Sequence, residues 1–166
     1  MSGAATLPDK ESVLREMPSH PAVAAITAVL PEALSDAKWD RNEMTLTIAA
    51  EHIVRVGQIV QQAGYNFLED VTAVDWFPSA PRFQVSYHIV SHKLKERIRL
   101  RVLLEEETPV VDTITGVWPS ANYYEREVFD LFGIRFGGHP NMRRIMMPDD
   151  WEGHPLRKDY PVEGYR

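Results

Sequence analysis

Three carboxylates beside an arginine, close to residue 125, come nearest in this chain to a catalytic set. Glu125, Glu127 and Asp130 lie near Arg126 in the sequence, and two carboxylates in different environments can share acid–base work. Glu125 and Glu127, however, are two positions apart, about 200° around a helix, so they point to different sides. Arg126 and Asp130 are four positions apart and can form an ion pair. The spacing therefore favours ion pairing, with the segment that follows or with a partner, over catalysis.

Two histidines, His139 and His154, raise the question of a metal site. Each stands in a Gly-His-Pro sequence, and no spacing typical of a metal-ligand set surrounds them. We therefore interpret them as turn histidines whose rings bond a nearby carbonyl or carboxylate group. The sequence predicts no metal site.

Charged side chains of both signs are interspersed in the last part of the chain. A phosphate or nucleotide site would need a glycine-rich loop before a helix, and the sequence has none here. Arginine instead makes planar two-point bonds to carboxylates, which suit ion pairs at protein interfaces. Trp151 stands among these charges and is a candidate interface anchor, whereas Trp76 and Trp118 are expected in the core. The predicted partner-binding residues are Glu125, Arg126, Glu127, Asp130, His139, Arg143, Arg144, Asp149, Asp150, Trp151, His154, Arg157, Lys158, Asp159 and Tyr160.

The composition limits the kinds of site that the chain can hold. None of the 166 residues is cysteine, which excludes disulfides, thiolate zinc sites, cysteine-ligated iron–sulfur clusters and thiol nucleophiles. Residues 1–132 hold 12 Lys and Arg against 19 Asp and Glu, and such an acidic body argues against nucleic-acid binding. No apolar run approaches the roughly 18 residues that span a bilayer, and the N-terminus lacks the apolar centre of a signal peptide. Arg97, Arg99 and Arg101 are interpreted as a solvated sheet face in preference to a partner contact.

Hydrophobic periodicity predicts the elements that carry these residues. Residues 83–89 and 97–104 alternate as two strands of a hairpin, and residues 51–63 show the strongest helical pattern. The full predicted order is a helix at 19–30, strands at 33–39 and 44–48, a helix at 51–63, strands at 67–76, 83–89 and 97–104, a brief helix at 108–117, and a helix from Asn122, its expected N-cap, to Gly133, its expected end. This order has no βαβ repeat. It predicts an α+β fold: a two-layer domain with a mixed or mostly antiparallel sheet and helices on one face, followed by an extended C-terminal docking arm.

The final segment, 133–166, differs in character from the rest of the chain. It contains four prolines and no sustained hydrophobic period, which predicts ordered coil with turns. Its apolar and aromatic side chains argue against disorder, and a coil of this length in a compact domain is usually functional. We therefore predict a flexible N-terminus at 1–18, an α+β domain at 19–132 and an extended partner-docking arm at 133–166. Removal of the arm is expected to leave a domain that folds but does not assemble.

Two motifs in this part of the chain resemble those of a known family. The first is Glu125-Arg-Glu-x-x-Asp-Leu-Phe, then six residues to His139, then x-x-x-Arg143-x-Ile-Met. The second is Pro148-Asp-Asp-Trp-Glu-Gly-His-Pro-Leu-Arg-Lys-Asp-Tyr-Pro161. Together they resemble the C subunit, or thirty-kilodalton subunit, of the NADH-quinone oxidoreductases, the respiratory complex I enzymes. Upstream of these motifs the resemblance is one of length and element order.

The resemblance implies a hydrophilic subunit in the peripheral arm of this proton-translocating enzyme, with no catalytic, cofactor-binding or metal site of its own. NADH, flavin, the iron–sulfur clusters and the quinone would belong to partner subunits. The expected partners are chiefly the large subunit of the quinone site and the subunit of the terminal iron–sulfur cluster. The chain is expected on the cytoplasmic side of the cell membrane, or of an equivalent energy-coupling membrane, and bound to it only through the complex.

Other interpretations stay open at this point. Related complexes fed by ferredoxin or by reduced F420, and membrane hydrogenases, contain similar subunits. The residues by themselves also leave room for a free-standing enzyme that uses Glu125, Glu127 and His139 as an acid–base set, or for a carboxylate-rich module that binds a soluble partner.

Overall fold

A mixed five-stranded sheet forms the centre of the computed structural model, which describes residues 10–105 and 109–163. The helices are α1 (Lys10–Glu16), α2 (Pro21–Val29), α3 (Ile53–Gln62) and α4 (Ala121–Phe132). The strands are β1 (Leu34–Asp40), β2 (Glu43–Ile48), β3 (Phe67–Asp75), β4 (Phe83–Ser91), β5 (Glu96–Leu104), β6 (Val110–Asp112) and β7 (Arg135–Gly137). Short 3-10 turns precede β1 and α3. The α+β class with a mixed sheet, predicted from the order of elements, is confirmed.

The sheet has the strand order β1-β2-β5-β4-β3, in which β2 and β5 are parallel and the other neighbours antiparallel. The predicted hairpin of β4 and β5 is confirmed, and each of its pairs joins an odd-numbered residue to an even-numbered one, as Val85 to Val102 and Tyr87 to Leu100. The apolar residues are odd-numbered in β4 and even-numbered in β5. Because side chains alternate between faces along a strand, this register collects them on one face.

That apolar face and the helices share one buried core, to which α3 contributes Val56 and Val60. The opposite face carries the basic stripe of β5. Arg97 and Arg99 pair with Glu43 there, at 2.8 and 2.5 Å. The predicted solvated face is therefore also an ion-paired one.

The brief helix predicted at 108–117 is wrong within the described residues, which begin again at 109. Val110–Asp112 forms strand β6, which pairs in parallel with β7 in the last part of the chain. Valine favours strands, but only this distant partner makes the strand possible. Helix α4 begins at Ala121 with Ser120 as its N-cap, so the predicted cap at Asn122 is also wrong, whereas the predicted end at Gly133 is confirmed by a φ of 74°.

Two further differences concern a helix near the N-terminus and the side chain of Trp76. Residues 10–16 form α1 where the sequence predicts a flexible segment, because Val13 is buried in the core; residues 1–9 lie outside the described part. Trp118 is buried as predicted, but the expectation of a core position for Trp76 is wrong, since 48% of that residue is exposed.

Within the ranges that the structure describes, no helix is both long and apolar enough to span a membrane.

Candidate docking site on helix α4 and the C-terminal tail

Helix α4 buries three charged residues, Arg126 and Asp130 against the segment that follows it and Glu125 against residues 113 and 114. Glu125 and Asp130 are completely buried and Arg126 nearly so, whereas Glu127 is exposed. The helix packs against β3 and contributes Val128 to the core. The two glutamates thus point to different sides, as their spacing predicts. We call residues 133–163, the described part of the predicted arm, the tail.

Asp130 holds the middle of the tail through the protein backbone. Its Oδ2 accepts the N–H groups of Ile145, Met146 and Met147 at 3.0, 2.7 and 2.9 Å. Its Oδ1 accepts a bond from the Arg144 guanidinium. Burial by itself would raise the pKa of Asp130, but these four donors outweigh it and hold the pKa below its usual range. The carboxylate is therefore ionised at neutral pH and binds the turn at 144–147.

The arginines extend this anchorage. Arg126, predicted to be able to pair with Asp130, instead donates to the carbonyls of Arg143 and Arg144 at 3.1 Å each. Arg144 in turn donates to the carbonyls of Trp151 and Gly153, both at 2.9 Å. Backbone carbonyls of the tail that take no part in strand pairing are in this way satisfied by the buried Arg126 and the half-buried Arg144.

Both histidines are turn residues bonded to carbonyls, as predicted. His139 lies with Nε2 at 3.2 Å from the Asn122 carbonyl, and its Nδ1 accepts the Asn141 N–H at 3.0 Å. The ring is therefore the neutral tautomer with the proton on Nε2, and burial lowers its pKa.

His154 occupies the space that Gly133 leaves open. Its Nδ1 lies 2.8 Å from the Asp130 carbonyl, and a Cβ on Gly133 would come within 2.6 Å of the His154 ring. In the described residues, no three His, Cys, Asp or Glu side chains converge as a possible metal site.

Glu125 is a buried carboxyl group whose partners are not cations. Its Oε1 accepts the Ile114 N–H at 2.8 Å, and its Oε2 is bonded to the Thr113 hydroxyl. The His139 Nε2 lies 3.9 Å away but is neutral. Burial raises the pKa of Glu125 to about 7 against the opposing effect of the Thr113 and Ile114 bonds.

A second anchor fixes the end of the tail. The Lys158 N–H donates to Asp75 Oδ2 at 2.9 Å, and Arg82 bridges Asp75 and Asp159 at 2.9 and 2.7 Å. Arg157 also donates to the carbonyl of Phe132. The sequence patterns did not single out Asp75 and Arg82, although an acid at the end of one strand and a base just before the next is a detectable signal for an ion pair across the connecting loop.

The remaining predicted site residues lie toward the surface. Arg143, Asp149, Asp150, Trp151, Lys158 and Asp159 are exposed, and Tyr160 is half-buried. Large apolar side chains stand exposed among or beside them: Tyr123, Ile145, Met146 and Leu156. The structure thus separates the predicted set into buried residues that shape the tail and exposed residues that form its outer surface. A role in partner binding stays a prediction.

The chain is similar to proteins of one respiratory family. The sequence model described as "Respiratory-chain NADH dehydrogenase, 30 Kd subunit" matches residues 46–166. The chain belongs to this family. The resemblance drawn from the two motifs is therefore confirmed.

Individual relatives agree with the family. The C subunit of NADH-quinone oxidoreductase from Roseiflexus sp. (strain RS-1) is 45% identical over 140 residues, covering 82% of this chain and 80% of the relative. The same subunit from Citrifermentans bemidjiense is 46% identical over 144 residues, covering 86% and 89%. These lengths show that the family relation extends over most of the chain, beyond the two motifs.

Two solved structures share the fold. A trypsin-resistant fragment (1-134) of Nqo5 aligns with a TM-score of 0.56 and 36% identity, covering 60% of this chain and 82% of the fragment. A chain of the membrane-bound sulfane sulfur reductase, an archaeal respiratory membrane complex, aligns with a TM-score of 0.76 and 25% identity, covering 87% and 86%. The higher identity to the NADH-quinone oxidoreductase relatives supports complex I over the related complexes as the setting of this subunit.

Proposed function

We propose that this member of the family is a cofactor-free structural and assembly subunit of the peripheral arm of proton-translocating NADH-quinone oxidoreductase. Its tail docks on the large subunit of the quinone site and on the subunit of the terminal iron–sulfur cluster. NADH, flavin, iron–sulfur clusters and quinone bind to partner subunits, and the chain has no active site of its own. It lies on the cytoplasmic side of the membrane, attached through the complex.

One observation carries the proposal: beyond Met142 the tail is held mainly through its backbone, while its large side chains Ile145, Met146, Trp151 and Leu156 are exposed. Asp130, Arg126 and Arg144 bond mainly to backbone groups of the tail. They therefore fix the path of its backbone, and the exposed side chains take no part in these bonds. Met146 and Trp151 are exposed on the segment so held. A surface ordered before binding loses less conformational entropy when a partner binds.

The geometry disfavours the free-standing enzyme considered above. Glu127 is exposed, whereas Glu125 is enclosed among Thr113, Ile114 and His139. Both nitrogens of His139 are engaged with the backbone. An acid–base set needs its groups around one space that a substrate can enter, and these three side chains do not share such a space.

The test is native purification of the tagged chain from cells in mild detergent, compared with the chain expressed alone. We expect the native preparation to show the absorbance of iron–sulfur clusters and to oxidise NADH with quinone as the electron acceptor. The chain alone should show no bound chromophore and no NADH oxidation with an artificial acceptor. Turnover by the isolated chain, or native purification without any iron–sulfur partner, would contradict the proposal.

A further inference from the structure

The loop between β3 and β4 presents two large aromatic side chains to the surface. Trp76 is 48% exposed and Phe77 is 45% exposed. The six residues from 76 to 81, Trp-Phe-Pro-Ser-Ala-Pro, carry no charge, in a chain of which 25% is charged. Exposed aromatic pairs of this kind are not explained by core packing, and aromatic residues are enriched where proteins bind one another.

The loop is held in shape by its own base. Arg82 donates to both carboxylate oxygens of Asp75, at 3.1 and 2.9 Å, and the Phe77 N–H donates to Asp75 Oδ1 at 2.9 Å. The Trp76 N–H donates to the Arg82 carbonyl at 2.7 Å, and the Arg82 guanidinium lies over the Phe77 ring at 5.0 Å from its centroid. These contacts hold the backbone at Trp76 and Phe77, and the Phe77 ring, in place in the absence of any partner.

The base of the loop is also bonded to the end of the tail. Asp75 accepts the Lys158 N–H, and Arg82 pairs with Asp159. Loop and tail thus form one continuous surface. Any protein that contacts the tail around residue 158 lies next to Trp76 and Phe77.

From this continuity we infer that the β3–β4 loop is a second docking element, and that Trp76 and Phe77 insert into an uncharged, apolar recess of the neighbouring subunit that binds the end of the tail. The inference rests on the proposed function, since it takes the tail to be an interface. The loop extends that interface to a part of the chain outside the two C-terminal motifs.

A protein partner fits the loop better than a lipid surface. Stable attachment of a loop to an anionic membrane needs basic residues around the apolar group. Here the tip has no charge, Arg82 is occupied by two carboxylates, and the neighbouring Lys158 and Asp159 have opposite signs. An uncharged aromatic centre with paired charges at its margin is the usual composition of a protein interface.

The test uses the full tagged chain with Trp76→Ala and Phe77→Ala together. Since both side chains are about half exposed, we expect the isolated variant to melt close to the wild-type temperature. We expect the amount of iron–sulfur partner that co-purifies to fall about tenfold or more, the scale of hot-spot residues. Trp76→Lys is a second variant, which keeps a long side chain but places a charge in the proposed recess, and it should reduce co-purification in the same way.

Phe67→Ala is the matched control. Phe67 is equally exposed, at 48%, but begins the same strand, roughly 25 Å from the loop at the usual rise per residue. It should leave co-purification unchanged. Normal co-purification of both loop variants, or an equal loss with Phe67→Ala, would overturn the inference.

Two further arms separate this inference from the proposed function and from membrane binding. If Trp151→Ala in the tail abolishes assembly while the loop variants assemble normally, the loop inference fails and the proposed function stands; if neither the tail nor the loop variants affect assembly, both fail. Vesicles of phosphatidylcholine and phosphatidylglycerol are sedimented with the isolated chain. Binding that the wild type shows and the loop variants lose would overturn the protein-partner inference in favour of a membrane contact.

Discussion

At the scale of single residues, two buried carboxyl groups on α4 show how partners set the pKa. Glu125 and Asp130 are both fully buried, yet the pKa of Glu125 rises to about 7 while that of Asp130 falls below its usual value. Burial pushes both upward. Asp130 has three N–H groups and a guanidinium as donors, whereas Glu125 has one N–H group and a hydroxyl. The supply of donors, more than the degree of burial, decides the charge.

The replacement Glu125→Gln should remove a pH dependence of folding. The folded-state pKa of about 7 lies above the ordinary 4.5, so the folded protein holds this proton more tightly than the unfolded chain does. The stability due to this group is therefore full below pH 4.5 and is lost as the pH rises to about 7, by about 1.4 kcal/mol for each pKa unit of difference.

Urea unfolding of wild type and variant at pH 5 and pH 8 measures the effect. From pH 5 to pH 8 the urea midpoint of the wild type should fall relative to that of Glu125→Gln, because the glutamine cannot ionise. Glu127→Gln, at the exposed neighbour, should follow the wild type. A constant difference between wild type and Glu125→Gln at both pH values would show that Glu125 does not titrate in this range.

The replacement Asp130→Asn should loosen the tail more than the domain. It removes the charge that faces Arg144, and an amide offers the three backbone N–H groups a weaker acceptor. The interaction that holds the tail on α4 should weaken by about 3 kcal/mol. Amide hydrogen exchange should be faster at Ile145, Met146 and Met147 than in wild type. Asp149→Asn, on the exposed side of the tail, is the control and should change these rates little. Unaltered exchange in Asp130→Asn would contradict the anchoring role.

At the scale of elements, the tail has two parts of different character. Its beginning, β7 with Ile134 and Phe136, belongs to the core and pairs with β6. From Arg143 onward it is held mainly through side chains of α4, Asp75 and Arg82. The boundary predicted at 133 lies just before β7, so a cut after Met142 would keep the pairing of β6 and β7 intact.

Two truncations should separate these parts. Deletion of 143–166 should leave a cooperatively folding domain that no longer assembles. Deletion of 133–166 also removes Ile134 and Phe136, whose burial contributes about 1.5–3 kcal/mol each, and β6 loses its partner strand. Thermal unfolding should give a clear transition for the shorter deletion and a far lower or absent one for the longer. Equal melting temperatures would mean that β7 adds little to the domain.

At the scale of the whole molecule, most of the exposed large apolar side chains of the described ranges lie on the tail, on α4 beside it or in the β3–β4 loop bonded to its end. Those exposed elsewhere are Val29, Phe67, Leu94, Leu103 and Val110. Most other large apolar residues of the described ranges are buried in one core. This distribution is typical of a subunit that folds by itself and is covered on one side in an assembly.

Hydroxyl-radical footprinting of the isolated chain and of the purified complex should show that the tail becomes less accessible to solvent on assembly. Met146 and Trp151 are exposed in the isolated chain and should lose most of their reactivity on assembly. Phe67, exposed at the other end of β3, is the internal reference and should change much less. Undiminished oxidation of Met146 and Trp151 in the complex would contradict docking through the tail.

Much of the architecture could be predicted from the sequence, because local periodicity records which face of an element is buried. The alternation in β4 and β5 predicts the hairpin, and the apolar stripe at Ile53, Val56 and Val60 predicts α3. A glycine at 133 predicts the end of α4, since its left-handed backbone is strained for other residues. The family, too, follows from the spacing of a few residues in the C-terminal motifs.

Contacts between distant segments were decided only by the tertiary structure. The pairing of β6 with β7, the bonds from residues 145–147 to Asp130 and the bridge from Asp75 to Lys158 each join residues far apart in the chain. Whether Trp76 is core or surface depends in the same way on what packs over it. A sequence shows the periods that a segment repeats within itself, whereas a hydrogen bond between segments needs both ends placed in space, and that placement comes from packing the whole core.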